Sequence, residues 1–332
     1  MSTALQIRQA VENAGTIVIT AHKSPDGDSI GCSVALYHIL ASMGKQVKIA
    51  HPDPAPDFLM WLPGAESVLN FEQHKQEVID ALDKSDLIFC LDYNDPSRVG
   101  EDMQPYLEAA KAEKAMIDHH LFPADFCTYV ISEPEVCSTA QLIYSWAKES
   151  GLGEHVGIPA ATAIYLGIMT DSGSFRFPSV TAQTHRIVAD LIDLGINHSK
   201  IHENVYDTNT IDRLRLRGFA LSEKLVCVKD FPVAYVALTE EELNRFHYQK
   251  GDTEGLVNQV LSVQGVKMAV LFNEKDGKIK ISFRAKGNYE VNKLANEQFS
   301  GGGHKYASGG VSSESMEETV RKFVTVLPQY VN

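Results

Sequence analysis

The chain of 332 residues lacks the features that mark secreted, membrane-spanning and zinc-ribbon proteins. Its five cysteines are odd in number and form no C-x-x-C pair, which argues against a disulfide framework or a zinc ribbon. No apolar run is long enough to cross a bilayer, and the first residues lack the basic and apolar regions of a signal peptide. We therefore expect a cytoplasmic protein without a membrane partner.

Basic residues are also scarce: 30 lysines and arginines stand against 43 acidic residues, giving a formal net charge of −13. Sequence-independent binding to long nucleic acid needs a broad basic surface, so long nucleic acid is not an expected partner. Short nucleotides need only a local group of cationic side chains. A hydrophobic fraction of 44% is ordinary for a folded protein, and the length predicts two domains.

The first half of the chain alternates apolar, strand-like runs with helical patterns, which predicts an α/β fold with a largely parallel, doubly wound sheet. We expect an N-terminal domain at 1–190, a helical linker at 191–222 and a smaller C-terminal α/β domain at 223–332. Strands are predicted at 16–20, 45–50, 87–91, 115–117, 128–131, 225–228, 233–237 and 280–285. Helices are predicted at 30–43, 103–112, 138–149, 159–171, 181–194, 199–225, 253–263, 291–299 and 316–326.

Carboxylate and imidazole side chains stand where several of these strands end. They are His22, Asp26 and Asp28 after the first strand, Asp92 after 87–91, and Asp118, His119 and His120 after 115–117. The carboxyl ends of strands in an open α/β sheet meet at one crevice, so we expect these side chains to lie close together. Such a group can hold a pair of divalent metal ions, an arrangement that suits hydrolysis of a phosphate ester.

Each motif also has a purely structural interpretation. The carboxylates around Gly27 either leave one tight turn towards two ions or cap the helix that follows. If Ser29 is the cap, Asp28 is free to be a ligand. Asp92 either bridges two ions, with one oxygen for each, or forms the turn before Asn94-Asp-Pro96.

The triad at 118–120 either lies in an ordinary surface loop or contacts both a metal and the substrate. In the second case one histidine ligates a metal and the other faces the substrate phosphate. Asp118 would then accept a hydrogen bond from the ligating imidazole. Asp171, at the end of the apolar helix 159–171, needs a compensating cation unless it lies in solvent, where the helix dipole opposes it.

The glycine-rich loop at 301–310 offers successive unhindered backbone N–H groups, which can surround an anion with His304 as a further donor. A flexible loop without function is the alternative. In the strand before it, alternation places Ser282 and Arg284 on the face opposite Ile281 and Phe283. Arg284 is then either a bidentate phosphate contact or a solvated residue.

Taken in order, these segments resemble the motifs of the DHH phosphoesterase family, which is named for the triad present here as Asp118-His119-His120. Segments 22–29, 91–98 and 167–176 look like its first, second and fourth motifs. The segment 301–310 looks like the signature of the DHH-associated C-terminal substrate domain. The layout is most similar to members that degrade very short RNAs and dephosphorylate 3′-phosphoadenosine 5′-phosphate (pAp).

This resemblance implies two Mn²⁺ ions, with Mg²⁺ or Co²⁺ as substitutes, and short oligoribonucleotides and pAp as substrates. It implies that His22, Asp26 and Asp92 hold one ion and that Asp28, Asp92, His119 and Asp171 hold the other. It further implies that His120, with Asp118, meets the scissile phosphate and that Arg284, Gly302, Gly303 and His304 bind the far end of the substrate. A homodimer is compatible with the sequence, which does not require one.

Three other activities stay open. A phosphodiesterase for cyclic di-AMP or linear dinucleotides would use the same metal ligands. An exopolyphosphatase or pyrophosphatase is less favoured, because the glycine-rich second domain resembles the nucleotide-handling type. A nucleotide-binding protein without catalysis would keep the same residues with an idle metal site.

Overall fold

The computed structural model describes residues 2–249 and 251–331, with every side chain in those ranges except that of His304. The chain divides into two compact units, Met1–Thr208 and Asn209–Asn332. None of the helices among the described residues has the length and apolar character needed to cross a membrane.

The first unit alternates helices with strands. Its helices are α1 (Thr3–Asn13), α2 (Gly27–Ser42), α3 (Lys75–Lys84), α4 (Gly100–Ala109), α5 (Thr139–Glu149), α6 (Ile158–Asp171), α7 (Ala182–Asp193) and α8 (His198–Tyr206). Its strands are β1 (Thr16–Ala21), β2 (Gln46–His51), β3 (Val68–Asn70), β4 (Leu87–Leu91), β5 (Glu113–Asp118) and β6 (Tyr129–Ser132). They form one sheet in the order β3-β2-β1-β4-β5-β6, in which every neighbouring pair is parallel. The predicted parallel sheet is confirmed.

Both faces of this sheet are covered by helices. Ile17 and Ile19 pack into a hydrophobic cluster with α1, α2, α5 and α6. Val18, which points the other way, packs with α3 and α4. Strands buried on both faces need apolar residues at every position, which explains why they appear in the sequence as unbroken apolar runs.

The strand order reverses between β1 and β4, the two central strands. In open α/β sheets ligands bind at such a reversal, in the crevice outside the carboxyl ends of the strands. His22 directly follows β1 and Asp92 directly follows β4. The topology therefore places two of the predicted ligands at the crevice.

Helices α2 and α6 approach each other closely because two glycines lie at their contact. A Cβ atom on Gly31 would lie 2.7 Å from the Ala163 carbonyl oxygen of α6, and one on Gly167 would lie 2.6 Å from Asp28 Oδ1 of α2. A side chain at either position would force the helices apart. This contact brings Asp28, in the first turn of α2, towards the end of α6, where Asp171 is the last residue.

The second unit is built on a separate sheet. Its helices are α9 (Ile211–Glu223), α10 (Glu240–Asn244), α11 (Leu256–Leu261), α12 (Val291–Gln298) and α13 (Met316–Val326). Its strands are β7 (Leu225–Cys227), β8 (Val233–Leu238), β9 (Met268–Lys275), β10 (Lys278–Ala285), β11 (Gly302–His304) and β12 (Ala307–Ser312). The order is β11-β12-β10-β9-β8-β7, with only β8 and β9 parallel among the described strands. Helices α12 and α13 pack on one face, and α9 and α11 on the other.

Three predicted segments need correction. The helix predicted at 199–225 is two helices, because the chain breaks at 207–210 and Thr210 caps α9 through a bond from the Arg213 N–H. The helix predicted at 253–263 is only α11, which begins after Gly255 at φ +78°. The glycine-rich loop predicted at 301–310 is an antiparallel hairpin of β11 and β12.

Candidate metal centre

The loop after β1 carries His22 and Asp26 at the carboxyl edge of the first sheet. Asp26 Oδ1 accepts hydrogen bonds from the Asp28 and Ser29 N–H groups at 3.1 and 3.0 Å, and the Asp26 N–H donates to the Ser29 hydroxyl at 2.8 Å. Asp26, and not Ser29, is therefore the cap of α2. Its second oxygen lies 3.7 Å from His22 Nε2, so capping leaves one oxygen facing the imidazole.

Asp92 lies between two imidazoles. Its Oδ2 is 3.3 Å from His22 Nε2, and its Oδ1 is 3.5 Å from His119 Nε2. Its backbone has φ +62°, in the left-handed region that aspartate tolerates better than most residues. The two oxygens are thus presented to two different sets of ligand atoms, as a bridging carboxylate requires.

Asp28, in the first turn of α2, is buried against the N-terminus of α5. Its Oδ2 accepts a hydrogen bond from the Thr139 N–H at 2.7 Å, and its Oδ1 accepts one from the Ala140 N–H at 3.0 Å. The positive end of the α5 dipole favours the charged carboxylate at this point. The Thr139 hydroxyl also donates to Asp92 Oδ1 at 3.0 Å, so one residue positions two predicted ligands.

Thr139 is not among the site residues that the sequence predicts. Ser138 caps α5 by accepting a bond from the Gln141 N–H. A Ser-Thr pair before an apolar helix is the sequence signal for such an N-terminus. That signal predicts a helix N-terminus whose first backbone N–H groups can bind an acceptor. It does not identify the carboxylates that accept from them.

The histidines of the triad are held by different partners. His119 donates from Nδ1 to the Val136 carbonyl at 3.1 Å, which leaves its Nε2 3.4 Å from Asp171 Oδ2. His120 donates from Nδ1 to Asp118 Oδ1 at 2.7 Å, and Asp118 is fully buried. The structure therefore pairs Asp118 with His120, and which histidine ligates a metal stays a prediction. Asp118 orients His120, and a backbone carbonyl orients His119.

All six predicted metal ligands come together at this edge of the sheet. Three groups bring ligand atoms within 4.8 Å of one another: His22, Asp26 and Asp92; Asp28, His119 and Asp171; and Asp92, His119 and His120. The first two groups each combine one imidazole with two carboxylates. Such a mixed donor set fits a pair of divalent transition-metal ions better than Mg²⁺, which prefers an all-oxygen, water-rich shell.

The charges of the site also favour bound cations. Burial, together with the charges of Asp92 and Asp171, raises the pKa of Asp28. Burial and the nearby carboxylates of Asp26 and Asp92 raise the pKa of Asp171 to about 7, although His119 opposes this. When they are ionised, the four carboxylates outnumber the two imidazoles, and divalent cations would neutralise this excess of negative charge.

The imidazoles respond to the same carboxylates. Burial lowers the pKa of His22, but its contacts with Asp26 and Asp92 outweigh burial and leave the pKa well above the ordinary value. Burial likewise lowers the pKa of His119, and the charges of Asp171 and Asp92 outweigh it, so that the pKa is raised. A bound metal would have to replace protons on both rings.

Thr139→Val should weaken Mn²⁺ binding about 10- to 100-fold, the usual cost of removing a group that orients a metal ligand. The substitution deletes the hydroxyl bonded to Asp92 and keeps the backbone N–H bonded to Asp28. Calorimetric titration with Mn²⁺ measures the effect, and Thr139→Ser, which keeps the hydroxyl, serves as the matched control. Equal affinity in the valine variant and the wild type would show that Thr139 does not position Asp92.

The predicted substrate-binding residues lie in the second unit. They are Arg284 on β10 and Gly302, Gly303 and His304 on β11. The strand register sets Arg284 and His304 opposite the same residue, Ala307 of β12. The Arg284 side chain is half-buried and donates to the Phe283 carbonyl at 2.9 Å, whereas the side chain of His304 lies outside the described part of the structure.

The alternation predicted for β10 is confirmed, since Ile281 and Phe283 are buried and Ser282 and Arg284 occupy the opposite face. Ser282 and Gly302 both pair with Gly309, which lies between them. A Cβ atom on Gly302 would meet no atom within 4 Å. The hairpin backbone is therefore open to a ligand at this point.

Comparison with known proteins identifies both halves of the chain. The DHH family, N-terminal domain, matches residues 16–168, and the DHHA1 domain matches residues 230–332. The crystal structure of an exopolyphosphatase-related protein from Bacteroides fragilis has 39% sequence identity and a TM-score of 0.96, and the match covers 99% of this chain and 96% of that chain.

Two relatives with named activities match at lower identity. The bifunctional oligoribonuclease and PAP phosphatase NrnA of Thermus thermophilus is 28% identical over 93% of this chain and 87% of its own length. The cyclic-di-AMP phosphodiesterase PdeA of Listeria monocytogenes is 24% identical over 99% of this chain but only 50% of its own length. Both domains are matched, and a solved relative is similar along the whole chain. The candidate metal ligands also lie together at one edge of the sheet. This chain therefore belongs to the DHH family of metal-dependent phosphoester hydrolases.

Proposed function

We propose that this protein is a cytoplasmic enzyme that hydrolyses short oligoribonucleotides to mononucleotides and pAp to AMP with two Mn²⁺ ions. The observation that carries the proposal is the position of Asp92, whose two oxygens face imidazoles of two separate ligand groups. The likeness to NrnA, which extends over most of both chains, supports this substrate class.

In this proposal His22, Asp26 and Asp92 hold one ion, and Asp28, Asp92, His119 and Asp171 hold the other. Bound there, two ions would activate water and neutralise charge on the phosphoryl oxygens. The N-terminus of α5 keeps the Asp28 and Asp92 carboxylates in place through Thr139.

His120 is the residue that we propose to meet the scissile phosphate. Because its Nδ1 donates to Asp118, its Nε2 is the nitrogen that can face the substrate. An N–H at Nε2 would stabilise charge that develops on a non-bridging oxygen, or deliver a proton to the leaving ribose oxygen. The buried Asp118 carboxylate fixes the ring orientation that this role needs.

We further propose that the hairpin of β11 and β12 binds the terminal phosphate of the substrate. Gly302 leaves the backbone uncovered, and Arg284 lies on the same sheet, one strand beyond β12. Gly302→Ala should raise KM for pAp about 10-fold or more, because a charge-assisted bond to phosphate is worth about 1.5–3 kcal/mol. The variant should fold normally, since the added methyl meets no atom within 4 Å.

Gly218→Ala is the matched control for that measurement, because Gly218 lies within α9 and also has open space around it. It should leave KM unchanged. Gly303→Ala is unsuitable, since Gly303 has φ +135° and a Cβ there would lie 2.7 Å from the Ala307 carbonyl oxygen. An unchanged KM in folded Gly302→Ala would mean that the phosphate does not contact this backbone.

The proposed function is tested by a hydrolysis panel of diribonucleotides, longer RNA, pAp, cyclic di-AMP and polyphosphate, each with Mn²⁺ and with a chelator. We expect turnover of diribonucleotides and pAp that the chelator abolishes. Preferred cleavage of cyclic di-AMP would replace the proposal with the activity for which PdeA is named, although this chain corresponds to only half of that protein. Preferred cleavage of polyphosphate, or nucleotide binding without any hydrolysis, would also refute it.

A further inference from the structure

An exposed aromatic side chain follows the His120 segment of the proposed centre. Phe122 comes two residues after His120, in the segment between β5 and β6, so their Cα atoms are at most about 7 Å apart. Its side chain is 85% exposed, the highest value among the large hydrophobic residues that the structure describes. Covering an exposed phenylalanine ring is favourable, so such a ring close to a reaction site is a candidate for contact with a ligand.

The backbone that carries this ring is held in place. Asn94, two residues after Asp92, donates from its side chain to the carbonyls of Leu121 at 2.7 Å and Phe122 at 3.3 Å. The Asn94 carbonyl accepts a bond from the Ala124 N–H at 2.7 Å. The loop after β4 therefore fixes the segment after β5 at three points.

Phe122 itself has φ +61°, in the left-handed region. For a bulky residue this conformation is a clear outlier, and it persists only when the surroundings impose it. Such strained residues cluster at ligand sites. The bonds from Asn94 thus maintain a conformation that the residue would not adopt alone, and the result is an exposed ring.

We propose that Phe122 stacks on a nucleobase of the substrate, in a nucleotide joined to the scissile phosphate. This inference rests on the proposed function, because it needs a substrate in which a base lies near the reacting phosphate. An aromatic ring can stack on any base, so the contact would accept RNA of any sequence while favouring nucleotides over phosphoesters without a base. Phe122 would then act on specificity, separately from the residues that hold metal.

The test compares the dinucleotide ApA with two analogues in which an abasic ribose replaces one adenosine or the other. Phe122→Ala should lower kcat/KM for ApA about 5- to 150-fold, the range measured when stacking residues are truncated. The same substitution should not change kcat/KM for one of the two abasic analogues, because that analogue lacks the stacked base. Phe122→Trp should retain activity on ApA, and Leu121→Ala, which changes the neighbouring exposed residue, should match the wild type.

Because Phe122 is exposed, its truncation removes little buried surface and the variant should fold. Three results would overturn the inference: an unchanged rate on ApA, an equal loss on all three substrates, or a changed oligomeric state on size-exclusion chromatography, which would mean that a second copy covers the ring. Failure of the wild type to hydrolyse any dinucleotide would instead refute the proposed function. The two failures are therefore distinguishable.

Discussion

Asp92→Asn should reduce the hydrolysis of short RNA by at least about 1000-fold, equivalent to about 4 kcal/mol of lost transition-state stabilisation. Both carboxylate oxygens of Asp92 face imidazoles, and an amide offers only one oxygen without a charge. Burial raises the pKa of Asp92, but the hydrogen bond and charge of His22 outweigh it, so the pKa is below the ordinary value. The substitution therefore removes a full negative charge from the point where two ions would meet.

Asparagine is the right replacement because it accepts the left-handed conformation that Asp92 has, at φ +62°. The fold should survive, and circular dichroism and thermal unfolding check that it does. Asp80→Asn is the matched control, since Asp80 is a surface carboxylate of α3 paired with Lys84 at 3.0 Å. If Asp92→Asn keeps both its turnover and its Mn²⁺ affinity, Asp92 does not bridge two ions.

The sequence predicts the central sheet well because its strands are buried on both faces. The run 87–91 coincides with β4, and 16–20 lies one residue short of the end of β1. The middle of such a strand packs against helices on both faces and is apolar, so its position is visible in composition alone. By contrast α1, α3 and the short β3 lie at the edges and surface of the unit, where no unbroken apolar run marks them.

The candidate ligands are predictable from the same runs. A charged residue that directly follows a buried strand lies at the carboxyl end of that strand, where the site is. The groups that orient them could not all be found. The Val136 carbonyl that accepts from His119 has no sequence signal, because every residue has a carbonyl. Likewise, the sequence shows that Asp118 is close to both histidines but not that it binds His120.

The prediction of a loop at the glycine-rich hairpin is wrong for a different reason. Glycine weakens a strand, so the glycine-rich segment 301–310 looks like a loop in the sequence. In the structure the missing side chains are what allow the strands to approach, since a Cβ on Gly303 would clash with the Ala307 carbonyl and one on Gly310 would lie 2.9 Å from Phe299. Close packing of backbone is a tertiary property, and composition alone does not distinguish it from flexibility.

Adding Mn²⁺ to chelator-treated protein should raise its thermal midpoint by roughly 10 °C, and by more at about pH 8 than at about pH 5.5. Each ion at 100 times its dissociation constant contributes about 2.7 kcal/mol. In the metal-free protein the raised pKa values of Asp28 and Asp171 stabilise the fold while these groups are protonated. That contribution is complete below the unfolded pKa of 3.8 and is lost as the pH rises through about 7 for Asp171.

The raised pKa values of His22 and His119 have the same sign, since their stabilisation is complete below 6.5 and is lost as the pH rises. The metal-free protein should therefore lose stability between about pH 4 and pH 8, the interval in which the site gains ionised carboxylates and neutral imidazoles that bind metal. Differential scanning fluorimetry at both pH values measures the shift, and Asp92→Asn should lose most of it. A shift that is the same at both pH values, or is retained in that variant, would place Mn²⁺ elsewhere on the protein.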